Sequence, residues 1–253
     1  MINQNALKYQ RQIPTGFLAD LVSSFWTLEN TADEDQIVTV LPDGYFDILF
    51  NSANGKPFKG MLIGLSSRPQ EYIMEGRSVT FSISLKLTAA EFILKKTIRH
   101  LRDTYEYLPQ DSAWYNCLNK PSLEIFVNAV TDFMYGLLDH PINEKKLQLF
   151  NNIYRTNGDV SINKLSASIH WSSRQINRYF QEYFGLSLKT YCSILRFRAT
   201  FEQLHNGKLF PPNNYYDQAH FIREVNKFSK TTPRHLAKNA DDRFIQLATL
   251  NAS

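Results

Sequence analysis

A chain of 253 residues can form two modest domains, each with its own core. Hydrophobic residues at 43% and charged residues at 21% are ordinary for a globular protein. No run approaches the ~18 apolar residues of a membrane span. The segment from Met1 to Asp20 has no continuous apolar stretch of the secretory kind, so a cytoplasmic location is expected. Cys117 and Cys192 are too few for a disulfide framework and read as packing residues in a reducing compartment. The net charge of +4 conceals a split. Residues 1–150 carry 14 Lys and Arg against 17 Asp and Glu, and residues 151–253 carry 14 against 7. A basic half joined to a mildly acidic one fits a nucleic-acid-binding domain attached to something else, although a solvated basic face would give the same count.

The first ~85 residues read as β structure. Gln36–Leu41 is a β-branched run, Leu41-Pro42-Asp43-Gly44 a turn, and Tyr45–Phe50 a second strand. Gly60–Leu65, Glu71–Glu75 and Val79–Leu87 continue the series, a spacing that suits a barrel or sandwich. Thr88-Ala89-Ala90-Glu91 then has the form of a capping box, followed at helical spacing by Ile93, Leu94, Ile98 and Leu101. Ser122–Leu138 is a second helix, with Phe126, Val127, Val130 and Met134 on one stripe. That stripe could meet the strands or a second subunit, and its width favours the strands. A boundary is expected near residues 139–143, at His140-Pro141.

From Asn143 the pattern is helical. Leu147, Phe150, Ile153 and Tyr154 mark one helix, stopped by Asn157-Gly158. Ser161–Ser168 is short, and Ser172–Phe184 has an N-cap serine and a terminating Gly185. Ser187–His205 reads as one long helix with Tyr191, Ile194, Leu195, Ala199 and Leu204 inward, and Asp217–Phe228 follows. Two short helices and a tight turn, the second rich in Arg, Gln and Asn, are what a major-groove reader needs. Arg pairs with guanine and Gln or Asn with adenine through two bonds each.

Ser161-Ile162-x-x-Leu165, Trp171-Ser172-Ser173-Arg174-Gln175-Ile176-Asn177-Arg178-Tyr179-Phe180 and Gly185-Leu186-Ser187 resemble the first helix-turn-helix of the AraC/XylS family of bacterial transcription regulators. Tyr191, Arg196, Ala199 and Leu204 match the pattern of its linker helix. Tyr216 to Glu224, with Phe228 and Thr232-Pro233, resemble its second recognition helix and closing proline. The match spans about 95 residues, from Asn143 to Leu236. The resemblance implies an α+β chain. An N-terminal β-barrel or cupin-like sensor or dimerisation domain with flanking helices (1–140) would precede an all-α domain (141–253) with two helix-turn-helix units joined by a long helix. By position, Arg174, Asn177 and Arg178, with Gln175 alongside, would face bases in the first unit, and Gln218, Ala219, His220 and Arg223 in the second. Ser172, Ser173, Asp217 and Lys227 complete the DNA-facing set, with Ser172 and Asp217 capping helices or taking phosphates. Arg178 and Arg223 have an alternative role as ion-paired braces, and His220 as a packed ring.

The chain departs from that pattern in three places. Pro211-Pro212 cannot lie in a helix interior, which shortens or distorts the first element of the second unit. His170 and Lys230 stand where the family often has glycine, and a lysine at positive φ costs roughly 1 kcal/mol. Residues 1–150 offer only His100 and His140 as imidazole ligands, both outside the expected strands, and no phosphate loop or nucleophile elbow occurs. Asp43 and Asp47 read as solvated or capping turn residues. Neither catalysis, a cofactor nor a metal is expected. The expected partners are double-stranded DNA, a small-molecule effector, RNA polymerase and a second copy of the chain, with no membrane. The competing class is a small-molecule- or protein-binding regulator that has lost specific DNA binding.

Overall fold

The computed structural model describes residues 6–118, 122–138, 143–210, 215–239 and 244–250. An N-terminal β-sheet half is followed by a C-terminal helical half. The strands are β1 (Leu7–Gln12), β2 (Val22–Asn30), β3 (Gln36–Val40), β4 (Phe46–Ala53), β5 (Lys59–Ile63), β6 (Gln70–Met74), β7 (Ser78–Leu85) and β8 (Tyr105–Tyr107). They pair antiparallel into a six-stranded sheet, β1-β2-β7-β4-β5-β8, and a two-stranded sheet, β3-β6. Four strands, β3, β5, β6 and β7, fall within two residues of the sequence reading, β4 runs three residues further than expected, and β1, β2 and β8 have no counterpart in it. β1 is polar apart from Leu7 and Tyr9, which pack half-buried on one face, and β8 is only three residues long.

Period-2 alternation sorts each strand's side chains. On β4, Phe46, Ile48 and Phe50 are fully buried toward the helices. Asp47, Leu49 and Asn51 line the space on the opposite face of the sheet. β7 does the same with Phe81 and Ile83 on one side and Thr80, Ser82 and Ser84 on the other. Helix α1 (Leu87–Phe92) is shorter than its sequence suggests. Its N-cap is Lys86, not Thr88, and no capping box forms. Thr88 is wholly buried and its hydroxyl donates to the Asp20 carbonyl, while Glu91 is held by Lys146 and by the Tyr179 hydroxyl. Those tertiary bonds take both side chains that the box would use. Helix α2 (Leu123–Leu137), capped by Ser122, packs inside the chain, with Phe126 tilted against Phe81 and edge-on to Phe50. His140-Pro141, where a boundary was expected, lie outside the described residues.

The helical half contains α3 (Glu144–Arg155), α4 (Ile162–Ile169), α5 (Ser173–Phe184), α6 (Leu188–Arg198), α7 (Phe201–His205), α8 (Gln218–Ser229), α9 (Pro233–Lys238) and a short α10 (Ile245–Ala248). The expected long helix over 187–205 is broken after Arg198. Buried Thr200 turns its hydroxyl back onto the Phe197 carbonyl at 2.7 Å, and its amide takes the same acceptor, an i to i−3 bond that tightens the turn. Ala199 is consequently exposed rather than inward, whereas Tyr191, Ile194, Leu195 and Leu204 are buried as expected. Both cysteines are buried free thiols, pushed up to about 11 by burial, which keeps them unreactive.

One hydrophobic core runs through both halves. The Tyr191 hydroxyl bonds the Gly44 carbonyl at 3.0 Å and the Tyr154 hydroxyl at 2.8 Å. The end of α5 is closed by the sheet half: Ile98 N donates to the Tyr183 carbonyl at 2.9 Å and Arg102 to the Gly185 carbonyl at 3.1 Å. After α9 the chain returns to the strands. Phe244 bridges Thr39, and the Gln246 amide exchanges two hydrogen bonds with the Leu41 backbone at 2.8 and 3.0 Å.

Lys230 ends α8 at φ 57°, ψ 20°. A side chain there costs about 1 kcal/mol, and only part returns to glycine through its looser unfolded state. Lys230→Gly is therefore expected to raise stability by roughly 0.5 kcal/mol, seen as a small increase in Tm. A lower Tm would show that the lysine contributes a stabilising contact.

Candidate nucleic-acid interface and an enclosed cavity

The α4–turn–α5 unit is built by local chemistry. α4 ends on His170 at φ 57°, a left-handed position that histidine tolerates better than most residues. Ser172 and Gln175 form a complete capping box at the start of α5. Ile176, Phe180 and Phe184 are buried, with Phe180 and Phe184 packed against Phe150. The opposite face carries Arg174 and Arg178, both exposed, and among the described residues neither has an ion-pair or hydrogen-bond partner. The bracing role weighed for Arg178 is thus not taken up within those residues, and Arg223 on α8 is likewise exposed and unpaired there.

The polar side chains between them are more committed. Gln175 accepts from the Ser172 amide at 2.8 Å, so it serves the cap. Asn177 donates to the Ser173 carbonyl at 3.0 Å, and Ser173 is half-buried. At α8, Asp217 accepts the His220 amide at 2.6 Å as N-cap, and Gln218 donates to the Leu209 carbonyl at 2.9 Å. Ala219 is exposed. His220 is a half-buried ring 5.4 Å from that of Tyr215, its Nε2 3.9 Å from Glu224, so the packed reading describes it well. The Lys227 ammonium lies 4.7 Å over the adjacent Phe228 ring. Among the expected DNA-facing residues, free cationic reach is therefore concentrated in Arg174, Arg178 and Arg223. Pro211-Pro212 lie outside the described residues.

The two units are tied together by α6. Arg196 donates to the Gly158 carbonyl at 3.1 Å on one side and approaches Glu224 of α8 at 3.4 Å on the other. Gly158, at φ 75°, lies so close to the Cys192 carbonyl that a Cβ would come within 2.4 Å of it. That approach seats the turn after α3 directly on α6.

A cavity of about 380 Å³ opens between the two sheets. Trp26, Leu28, Val38, Leu49, Met61 and Tyr72 supply much of its apolar wall, and Ile245, Gln246 and Thr249 of the returning chain close one side. Asp43 and Asp47, expected to be solvated or capping, both line it. Asp43 does cap, accepting the Tyr45 amide at 3.0 Å, but Asp47 is a strand residue inside the cavity. Its Oδ1 accepts from Ser84 at 2.5 Å and Ser82 at 3.2 Å, and Ser84 in turn accepts the Trp26 indole N–H at 3.0 Å. Burial first, and the Asp43 charge second, push the Asp47 carboxyl up to about 7. Burial likewise pushes the Tyr72 phenol up to about 12. The one sequence cue was alternation: Asp47 and Asn51 fall on the same face of β4 as Leu49, the face away from Ile48 and Phe50.

Residues 10–106 match a family described as a domain of unknown function (DUF6597). No curated protein matches the chain. Among solved structures, the chain is similar to a 1.65 Å structure of ToxT from Vibrio cholerae at 8% identity. That likeness covers 91% of this chain and 98% of that one, with a TM-score of 0.43. A crystal structure of ToxT from Vibrio cholerae O395 gives 7% identity, coverage of 92% and 98%, and a TM-score of 0.45. The same protein bound to (E)-4-(8-methylnaphthalen-1-yl)but-3-enoic acid gives 8%, 92% and 97%, and 0.41.

Proposed function

We propose that the chain is a sequence-specific DNA-binding transcriptional regulator whose helical half reads DNA and whose β-sheet half modulates that reading. The observation that carries this is the outer face of α5. Arg174 and Arg178 are held out, unpaired among the described residues, by a helix whose cap and inner face are fully committed. Cationic side chains cost nothing to present to water, and they gain most when they displace counterions from phosphate or meet guanine edges. α5 is the principal reading helix. α8 adds Arg223 from a second unit about one helical turn (~34 Å) along the groove. The resemblance to the AraC/XylS family supports the same reading, with RNA polymerase and a second copy of the chain as further partners.

The other reading is a regulator that has lost specific DNA binding, favoured by the self-bonding of Gln175, Asn177 and Gln218. Fluorescence anisotropy with DNA from the gene's own upstream region, across a salt series and against scrambled competitor, separates the two. Binding that survives competitor and falls steeply with salt is expected. Equal binding to scrambled DNA, or none at low salt by the full chain and by residues 143–253, would favour the second reading.

A further inference from the structure

The cavity between the sheets has an unusual electrostatic composition. It is lined largely by rings and aliphatic side chains, yet three carboxyl groups, those of half-buried Asp43 and Asp47 and of exposed Glu75, lie in its wall, and no described base forms an ion pair with any of them. Asp47 Oδ1 takes both serine hydroxyls, while Oδ2 takes no hydrogen bond among the described residues. An isolated carboxylate oxygen in an apolar space is costly unless a donor meets it. The basic groups nearby are differently placed: Lys59 is exposed, and Arg198 lies 4.5 Å over the Tyr45 ring. A ligand anion would meet Asp43 and Asp47 as like charges, while a cation would meet one free carboxylate oxygen and the aromatic side chains of Tyr9, Trp26 and Tyr72. The Trp26 ring is held by its N–H bond to Ser84, so the platform is preformed.

We propose that this cavity is the binding site for an organic amine, its ammonium on Asp47 Oδ2 and its aromatic or aliphatic body along Trp26, Leu49 and Tyr72. This deepens the regulator reading and rests on it only for the consequence on DNA, since binding itself is measured without DNA. Ile245, Gln246 and Thr249 form part of the wall, so an occupant touches the segment that continues from the second helix-turn-helix. The ammonium needs Asp47 as a carboxylate. The groups facing it are Asp43, Tyr9 and Tyr72, with Arg11 and Arg198 acting on Asp43, and Lys59, Glu75, Tyr105 and Tyr107 elsewhere on the wall. Burial raises the Tyr9 and Tyr72 phenols, which stay neutral near pH 7, and it raises Asp43 as well, so the Asp47 proton, with Asp43 beside it, gates binding.

Calorimetry on the full chain would compare phenethylamine and decylamine with the alcohol and carboxylate of each. The amines are expected to bind at least tenfold more tightly than the alcohols, with the carboxylates weakest. Amine affinity should rise roughly tenfold from about pH 6 to about pH 8, as a carboxyl titrating near 7 loses its proton. Asp47→Asn should remove both the preference for amines and the pH dependence. The wild-type pH profile stands as evidence even if that variant folds poorly. Alcohols or carboxylates that bind as tightly as the amines, a flat profile, or no amine binding at millimolar concentration would each overturn the proposal. Loss of DNA binding would leave it untouched.

Discussion

Reversing the charge of Arg174 and Arg178 together is expected to lower affinity for specific DNA by about a hundredfold or more. The estimate takes each arginine as one base or phosphate contact worth roughly 1–3 kcal/mol. The salt dependence should flatten as well, by about two units of log-log slope if both arginines meet phosphate. Both side chains are exposed and unpaired among the described residues, so the variant should unfold within about 0.5 kcal/mol of the parent. The pairing of the two measurements decides the matter. Weak DNA binding with an unchanged Tm means direct contact, and a lowered Tm would mean that the arginines brace the domain. Undiminished DNA binding would remove α5 from the interface. Arg223→Glu alone should cost less, since α8 presents fewer free polar groups beside it.

The second large effect is expected at Arg196. Its guanidinium lies largely out of water, with the side chain 17% exposed, between the Gly158 carbonyl, the Ser193 hydroxyl and Glu224, itself 11% exposed. Arg196→Ala strips the turn after α3 of a donor and leaves the Glu224 carboxylate facing only the His220 ring, its Nε2 3.9 Å away. Losing one partner of a buried pair costs roughly 3–5 kcal/mol, most of it the penalty on the charge left behind. The 3.4 Å approach of Arg196 to Glu224 is loose, which places the expected loss toward the lower part of that range. Urea unfolding of Arg196→Ala, Glu224→Gln and the double variant would show it. The double variant should recover part of the loss, because it contains no orphaned charge. Simple additivity would mean that the two side chains act independently. The same link ties the turn after α3, which leads into α4, to α8, so Arg196→Ala should also weaken DNA binding at temperatures where it remains folded.

The short helices were legible because their signals are local. Ser161, Ser172 and Asp217 cap the helices that follow them, and Gly185 closes α5 at φ 74°, all within a few residues of the elements they bound. The stripe of α2 needed only its period. Thr88 and Glu91 misled because a motif that satisfies two amides locally was outcompeted by Asp20, Lys146 and Tyr179, which are distant in sequence. The break at Ala199–Thr200 was hidden for the same reason, since threonine in a helix pattern signals nothing until its burial turns the hydroxyl inward.

By itself, the sequence determined the order of β and helical halves, helix α5 with its caps, and the basic character of the half that contains it. These follow from periodicity, side-chain hydrogen bonds over three or four residues, and charge, none of which needs a partner from elsewhere. Only the tertiary structure decided that residues 244–250 return to β3, that Arg196 joins the turn after α3 to α8, and that Asp47 faces a cavity. Asp47 becomes a half-buried, half-satisfied acid only when β4 pairs with β7 in the register that sets it against Ser84, and when the second sheet and the returning segment cover that face. Burial and pairing between distant residues belong to the assembled fold, and no window along the chain contains them.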